Sequence, residues 1–223
     1  MRRQAWCLVP VKRLGAAKQR LDAVLSPDQR MELARLMATD VIRAARGAAC
    51  LKGVAVVTAD EDVAAFARRE GAYVIREPEG GGLNAALGHA SAELAGRGVA
   101  TILVLPGDVP LVTADDIAAM IDGHDESPSV TVARAICDGG SNALAVTPPG
   151  AIGFRFGEDS FERHCLAARA AGIEPHALLL PRLAVDIDRP ADLDAMLTQE
   201  SQTLAAAFLS SIAASHARVS HET

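Results

Sequence analysis

Short apolar runs and amphipathic stretches alternate along the first half of the chain. The apolar runs have the length of buried strands, and the stretches between them repeat their apolar residues at the spacing of a helix face. Strands are predicted over 5–11, 54–57, 72–75 and 100–105, and helices over 26–47, up to 71, over 83–94 and over 113–121. Strands that alternate with helices predict an α/β fold with a Rossmann-like, mostly parallel sheet.

The pattern changes after about residue 129, where strands follow one another with little helix between them. Strands are predicted over 130–134, over 143–146, near 178 and over 184–187, and helices over 161–171 and from 190 onward. These later strands make the predicted sheet a mixed one within a single domain, 1–198. The alanine- and serine-rich tail, 199–223, is predicted to be helical to about Ser215 and frayed beyond it.

Composition narrows the class of partner. The formal charge of −6 and the aromatic content of 3% argue against a nucleic-acid partner. No segment approaches the roughly 20 apolar residues of a membrane span, and four scattered cysteines without metal-ligand spacing favour a cytoplasmic protein with reduced thiols. The tail offers an apolar face to a second copy, so a homodimer is a further expectation, carried by Leu204, Phe208, Leu209 and Ile212.

One carboxylate follows the fourth strand directly. The apolar run that ends at Leu105 breaks into Pro106-Gly107-Asp108, which places Asp108 in a turn at the carboxyl end of a strand. Ligands of open α/β sheets bind at that edge, and a hard oxygen ligand there suits Mg²⁺. Equally, Asp108 is suited to cap the turn or the helix that follows.

Positive charge is concentrated after the first strand. Lys12, Arg13, Lys18 and Arg20 fall within nine residues of predicted loop in an otherwise acidic protein. Such a loop can hold phosphate groups, although it matches neither a P-loop nor the dinucleotide fingerprint, and a solvated basic loop is the alternative.

Two weaker signals accompany this loop. The segment from Gly80 to Asn84 precedes a helix, so its backbone N–H groups and Asn84 are candidates to contact a nucleotide, or the glycines form a flexible surface loop. Asp186 and Asp188 flank Ile187 at strand spacing, which puts both carboxylates on one face. One of them is a candidate to join Asp108 on a metal, and the alternative is a cap for the helix at Pro190.

Five segments in order resemble one enzyme family. They are Pro-Val-Lys with Ala-Lys-x-Arg-Leu (10–21), Leu-Pro-Gly-Asp-x-Pro-Leu (105–111), Gly-Gly-Ser-Asn-Ala-Leu (139–144), Phe-Gly-x-x-Ser-Phe-x-x-His (156–164) and Asp-x-Asp-x-Pro-x-Asp-Leu (186–193). Together they resemble the 2-phospholactate guanylyltransferases of deazaflavin-coenzyme biosynthesis, whose fold is the glycosyltransferase-A-like nucleotidyltransferase type. The resemblance implies GTP, Mg²⁺ and a small phosphorylated three-carbon acid as acceptor: 2-phospholactate, phosphoenolpyruvate or 3-phosphoglycerate.

The resemblance also implies roles for individual residues. Asp108 and Asp188 would hold the metal, and Lys12, Lys18 and Asp108 would be catalytic. Nucleotide contacts would come from the ends of the first four strands and the loops beside them: Pro10, Lys12, Lys18, Arg20, Thr58, Gly82, Asn84, Pro106 and Gly107. Acceptor contacts would come from Ser141, Gly157 and Ser160, with Ser160 as the predicted N-cap of its helix. Two alternatives stay open, namely another nucleotidyltransferase such as a cofactor cytidylyltransferase, and a non-catalytic nucleotide-binding module.

Overall fold

The computed structural model describes residues 5–124, 126–136, 139–198 and 202–219. In this part of the chain seven strands form one sheet in the order β3-β2-β1-β4-β6-β5-β7. The strands are β1 (Ala5–Pro10), β2 (Leu51–Thr58), β3 (Tyr73–Arg76), β4 (Thr101–Val104), β5 (Ser129–Arg134), β6 (Ser141–Thr147) and β7 (His176–Leu178). The predicted α/β architecture with a mixed, mostly parallel sheet is confirmed.

The described helices cover both faces of this sheet, and the last two lie at the C-terminal end of the chain. They are α1 (Pro27–Gly47), α2 (Glu61–Arg69), α3 (Gly82–Gly96), α4 (Ala114–Ile121), α5 (Ser160–Ala170), α6 (Pro190–Thr198) and α7 (Leu204–Val219). Two short 3-10 turns, Leu14–Ala16 and Gln19–Leu21, interrupt the basic loop that the sequence predicted as irregular. No described helix is both long enough and apolar enough to cross a membrane.

Strand direction decides which residues share an edge. β1 pairs in parallel with β2 and β4, and β2 pairs in parallel with β3, so the carboxyl ends of these four strands lie together. β6 pairs antiparallel with β4 and with β5. Its amino end, Ser141, therefore lies at the same edge as the carboxyl ends of the first four strands.

Local signals begin the helices where the sequence places them. Ser26 accepts a hydrogen bond from the backbone N–H of Gln29, whose side chain bonds back to Ser26, and Pro27 fills the first helical position of α1. Thr113 and Asp116 form the same reciprocal cap on α4. These caps satisfy backbone donors that lack partners within the helix, which fixes both helix starts.

The core consists of two layers on the sheet and a third cluster beside it. One layer packs α1, α2 and α4 against the sheet, and the other packs α3 and α5 against the opposite face. The third cluster joins α1, α6 and α7 through buried residues that include Met37, Met196 and Leu209. Since α7 shares this cluster, the tail helix packs as part of the same body.

The tail helix is longer than predicted. It continues past Ser215 to Val219, and residues 220–223 lie outside the described part. Its apolar residues belong to the third cluster together with residues of α1, and the homodimer expected from them stays a prediction: Leu204, Phe208, Leu209 and Ile212. Asp40 of α1 accepts hydrogen bonds from the backbone N–H groups of Leu204 and Ala205, both at 3.0 Å, and so caps α7 from a neighbouring helix.

The strand predicted over 184–187 is wrong. This segment is irregular and belongs to none of the seven strands. Ile136 donates to the carbonyl of Ala184, and Ile187 donates to the carbonyl of Asp108. The side chain of Ile187 points inward as predicted and is fully buried, although the segment forms no strand. Cys7, Cys50 and Cys165 form no disulfide among the described residues, and Cys137 lies outside them.

Candidate functional site

A cleft of about 1040 Å³ opens at the edge where β1, β2 and β4 end. This is the edge at which open α/β sheets bind their ligands. Nine of the predicted site residues line it: Pro10, Lys12, Lys18, Arg20, Gly82, Pro106, Gly107, Asp108 and Asp188. The structure therefore brings the basic loop, the exit of β4 and the segment before α6 into one cleft.

Lys18 forms the centre of the charged cluster. Its Nζ lies 2.9 Å from Asp108 Oδ2 and 2.9 Å from Asp188 Oδ1. The side chain of Lys18 is only 8% exposed, whereas those of Asp108 and Asp188 are 33% and 36% exposed. The cation is thus enclosed, and each carboxylate keeps part of its surface open to the cleft.

Mutual attraction decides the protonation states in this cluster. Burial alone lowers the pKa of Lys18, but the charges of Asp108 and Asp188 outweigh it and the pKa lies above its ordinary value. Burial likewise opposes ionisation of Asp188, yet Lys18 and Arg20 hold the pKa of that carboxyl below its usual range. Arg20 Nη1 lies 3.1 Å from Asp188 Oδ2. Lys18 and Asp188 are therefore both ionised at neutral pH.

Backbone contacts position the two carboxylates. Asp108 lies four residues after the end of β4, and its carbonyl oxygen accepts a hydrogen bond of 3.1 Å from the N–H of Ile187, the residue before Asp188. The carboxylate of Asp192 accepts hydrogen bonds from the N–H groups of Asp188 and Arg189. Asp192 therefore provides the cap at the start of α6, which leaves the side chain of Asp188 to face Lys18 and Arg20.

The donor set fits a divalent cation completed by a substrate. Oxygens of Asp108 and Asp188 already converge on a single positive centre, the ammonium of Lys18. Among the described residues no group of three or more acidic, histidine or cysteine side chains could hold a metal. Mg²⁺ commonly takes one or two carboxylates and completes its shell with phosphates and water, so this pair is sufficient.

The predicted acceptor residues form a second, separate cluster. Ser160 Oγ accepts a hydrogen bond of 2.8 Å from the backbone N–H of Ser141, and Ser141 Oγ lies 2.9 Å from His164 Nδ1. His164 Nε2 accepts a hydrogen bond of 2.9 Å from the backbone N–H of Arg155. All three side chains, of Ser141, Ser160 and His164, are buried.

This hydrogen-bond chain makes both hydroxyl oxygens acceptors. Because Nε2 of His164 accepts, the neutral ring carries its proton on Nδ1 and donates it to Ser141 Oγ. Burial, helped by the nearby charge of Arg155, lowers the pKa of His164 to about 4, so the ring is neutral at physiological pH. Both serine oxygens accept from nitrogen, so neither hydroxyl proton is used in these two hydrogen bonds.

The start of α5 differs from the predicted cap. Asp159 is the N-cap, in a left-handed conformation with φ 51°, and its side chain makes no capping bond. Ser160 is the first helical residue, and its side chain turns inward to Ser141. Gly157, with φ 126°, adopts a conformation that side-chain-bearing residues rarely reach, and its carbonyl accepts from the N–H of Ser160.

Two predicted nucleotide contacts do not line the cleft. Asn84 donates to the carbonyl of Phe156 at 3.0 Å and accepts from its N–H at 2.8 Å, which ties the start of α3 to the segment before Gly157. Thr58 is buried and accepts a hydrogen bond from the N–H of Asp60. The nucleotide contacts expected of Asn84 and Thr58 stay predictions, and the hydrogen bonds that the structure shows for them join parts of the fold.

From the sequence, His164 lies one turn into its helix and is a candidate to add positive charge beside the acceptor; the structure has its ring buried and neutral instead. A signal for its place in the cluster was present, because His164 follows Ser160 by four residues in a helix and the two therefore share a face. The two clusters meet next to Ser141: Asn142 Nδ2 lies 3.5 Å from Asp186 Oδ1, two residues before Asp188. The acceptor cluster and the carboxylate pair thus border on the same chain segment.

Known proteins are similar to this chain over nearly its whole length. Residues 5–222 match a family model described as "Guanylyl transferase CofC like". A phosphoenolpyruvate guanylyltransferase of Rubrobacter xylanophilus is 40% identical over 84% of this chain and 91% of its own length. A 3-phospho-D-glycerate guanylyltransferase of Phenylobacterium zucineum is 38% identical over 79% and 82%. A 2-phospho-L-lactate guanylyltransferase of Methanothermobacter thermautotrophicus is 31% identical over 91% and 88%.

Solved structures share the fold at low sequence identity. A protein of Desulfovibrio desulfuricans G20 classed with the nucleotide-diphospho-sugar transferases superposes with a TM-score of 0.78 at 18% identity, over 95% of this chain and 96% of its own. A cytidylyltransferase of Leptospira borgpetersenii gives a TM-score of 0.58 at 13% identity, over 97% and 96%. These likenesses support the nucleotidyltransferase type of fold.

Proposed function

Since the chain belongs to the family of CofC-like guanylyl transferases, we propose that it transfers GMP from GTP to the phosphate of a small three-carbon acid. One observation of the structure carries the proposal. Two carboxylates converge on one ammonium group, at 2.9 Å each, inside a cleft at the carboxyl edge of the sheet that Lys12, Arg13 and Arg20 also line. That arrangement suits a metal-bound triphosphate.

We propose Mg²⁺ as the cation held by Asp108 and Asp188. When bound, it would neutralise charge on the triphosphate and on the departing pyrophosphate. Lys12, Lys18 and Arg20 border the same cleft and supply the remaining positive charge for the phosphates. The backbone at Gly82, Pro106 and Gly107 forms parts of the wall, where the nucleoside would lie.

The acceptor is assigned to Ser141, Gly157 and Ser160. Both serine oxygens accept hydrogen bonds from nitrogen, so neither hydroxyl proton is used in these two bonds. A phosphorylated acid carries two anionic groups, and oriented hydroxyl donors can hold one of them without bringing a further charge. Neutral His164 keeps the hydroxyl of Ser141 in the donating orientation.

The reaction then needs positioning more than proton transfer. An ionised phosphate oxygen of the acceptor attacks the α-phosphorus of GTP, and a new P–O bond forms as the bond to pyrophosphate breaks. The leaving pyrophosphate takes the electron pair. No general base is required, and in agreement with this both His124 and His164 are buried and hydrogen-bonded within the fold.

The test is direct product detection. The purified protein is incubated with GTP, Mg²⁺ and 2-phospholactate, phosphoenolpyruvate or 3-phosphoglycerate in separate reactions, and guanylylated product and pyrophosphate are measured. Formation of a guanylylated acid with one of the three supports the proposal and names the acceptor. CTP replaces GTP in a parallel set. Turnover with CTP alone supports a cytidylyltransferase instead, and tight GTP binding without turnover supports a non-catalytic module.

A further inference from the structure

We propose that Lys18 occupies the metal position in the nucleotide-free protein and releases it only when the triphosphate arrives. Metal and nucleotide would then bind together rather than one after the other. This inference rests on the proposed function, because it assumes that the cleft receives a metal-bound triphosphate. It assigns to Lys18 a role before the reaction, in addition to phosphate contact.

The position of the ammonium carries the proposal. Lys18 Nζ contacts one oxygen of each carboxylate at 2.9 Å, so the ammonium lies between the two groups that would hold a divalent cation. An ion bound to the same two oxygens would overlap the ammonium or lie beside it at strongly repulsive distance. The metal and this conformation of Lys18 therefore exclude each other.

Burial keeps Lys18 in place until another anion is available. With its side chain only 8% exposed, the ammonium loses most of its hydration and depends on Asp108 and Asp188 for compensation. If a metal takes the two carboxylates, Lys18 needs a new anionic partner within reach. The phosphates of a nucleotide in the same cleft would provide one, whereas the metal alone provides none.

The backbone at Lys18 also favours release. Lys18 has φ 53° and ψ 41°, the left-handed conformation that residues with a side chain adopt only at a cost. The two ion pairs offset that cost in the nucleotide-free state. Once the metal has taken the carboxylates, the strain favours another backbone conformation, in which the side chain turns away from them.

The experiment measures metal affinity without relying on activity. Mn²⁺ binding to the nucleotide-free protein is followed by electron paramagnetic resonance for the wild type, Lys18→Met and Lys12→Met. Lys12 is the matched control, because it lines the same cleft with the same charge. We expect Lys18→Met to bind Mn²⁺ about tenfold more tightly than wild type, since removal of one adjacent charge is worth at least that factor. Lys12→Met should change the affinity much less.

Nucleotide binding provides the second half of the test. A non-hydrolysable GTP analogue should raise the Mn²⁺ affinity of the wild type more than that of Lys18→Met, because only the wild type has an ammonium to release. Unchanged or weaker Mn²⁺ binding by Lys18→Met would overturn the proposal and make Lys18 an organiser of the carboxylates. An equal gain in Mn²⁺ affinity in Lys12→Met would mean that removal of any positive charge near the cleft has this effect, and it would also overturn the proposal.

A measurement on the wild type covers the case in which Lys18→Met does not fold. The ¹⁵N signal of the Lys18 ammonium, assigned with Lys18→Arg, should move when Mg²⁺ and the analogue are added together and stay in place with the same Mg²⁺ alone. Movement with Mg²⁺ alone contradicts coupled release. Guanylyl transfer by the wild type is assayed separately, so an active enzyme without this coupling refutes the role of Lys18 and leaves the proposed function intact.

Discussion

The two clusters at the site edge are built in opposite ways. The cluster of Lys18, Asp108 and Asp188 is charged, comes from loops and borders a cleft. The cluster of Ser141, Ser160 and His164 is neutral and buried, and its members lie on β6 and α5. A charged cluster on loops can exchange partners, while a buried hydrogen-bonded one holds a fixed geometry.

This contrast fits the ligand that we propose for each cluster. A triphosphate with its metal would bring several charges at once, and loops with long cationic side chains can adjust to them. A small acid differs from its competitors by a few atoms, so its recognition depends on donors that do not move. Four predictions test this division, from the largest expected effect to the smallest.

Asp108→Asn removes a formal charge from the exchangeable cluster while preserving the shape of the side chain. Turnover should fall by a factor of about 10³, because charge stabilisation by a bound metal is worth several kcal/mol. Steady-state kinetics at saturating Mg²⁺ measures the loss. Asp194→Asn on α6, where the side chain is exposed, is the control and should retain activity. Near-normal turnover of Asp108→Asn would contradict the assignment of Asp108 as a metal ligand.

Acid should destabilise the fixed cluster through its histidine. Burial lowers the pKa of His164 and of His124 from the ordinary 6.5 to about 4. The unfolded chain therefore binds more protons between these values, and the free energy of unfolding falls as pH drops from about 6.5 to about 4. The slope should approach about 1.4 kcal/mol per pH unit for each histidine.

Urea unfolding at a series of pH values checks this. In His164→Gln the contribution of His164 to the pH dependence of the free energy of unfolding should disappear and that of His124 should remain. Replacement of the exposed His89 by Asn should leave this pH dependence unchanged. A wild-type stability that stays constant between pH 6.5 and 4.5 would contradict the buried, neutral state of both rings.

Ser160→Ala tests whether the clusters serve different substrates. The KM for the acceptor should rise tenfold to a hundredfold, since a hydrogen bond to a charged group is worth about 1.5–3 kcal/mol. The KM for GTP should stay nearly unchanged. Lys12→Ala is the crossed control, with the opposite pattern expected. An effect of Ser160→Ala on GTP alone would reverse the assignment of the two clusters.

Asp40→Ala tests a part of the molecule that belongs to neither cluster. It removes the acceptor for the N–H groups of Leu204 and Ala205, so stability should fall by about 1 kcal/mol, as at other helix caps. Thermal unfolding measures the loss, and Asp40→Asn, which keeps one oxygen acceptor, should lose about half as much. Both KM values should hold, and a change in either would tie α7 to the site.

Local signals made much of this molecule predictable. The cap at Ser26 and the break from Leu105 into Pro106-Gly107-Asp108 depend on residues a few positions apart, and the structure has both where the sequence indicates them. The contacts of Lys18 were not predictable, because they join positions 90 and 170 residues apart. Such contacts depend on how loops meet in space, and the sequence pattern carries no record of that.

The misassigned details have an equally physical origin. Asp159 and Ser160 are adjacent and both are good capping residues, so sequence cannot decide between them; the decision came from the inward bond between Ser160 and Ser141. The segment 184–187 alternates like a strand because Ile187 turns inward between two carboxylates. An irregular extended segment with one buried side gives the same alternation.

One backbone hydrogen bond affects the free-energy cost of replacing the ammonium between the two carboxylates by a metal. It joins the N–H of Ile187 to the carbonyl of Asp108. It joins main chain to main chain, so the separation of the two loops does not depend on what the side chains hold. Replacement of the ammonium by a metal would then move Lys18, side chain and local backbone, and leave the loops that carry Asp108 and Asp188 where they are. Such a binding step would need little reorganisation around the carboxylates, which would suit the exchange of ammonium for metal that we propose.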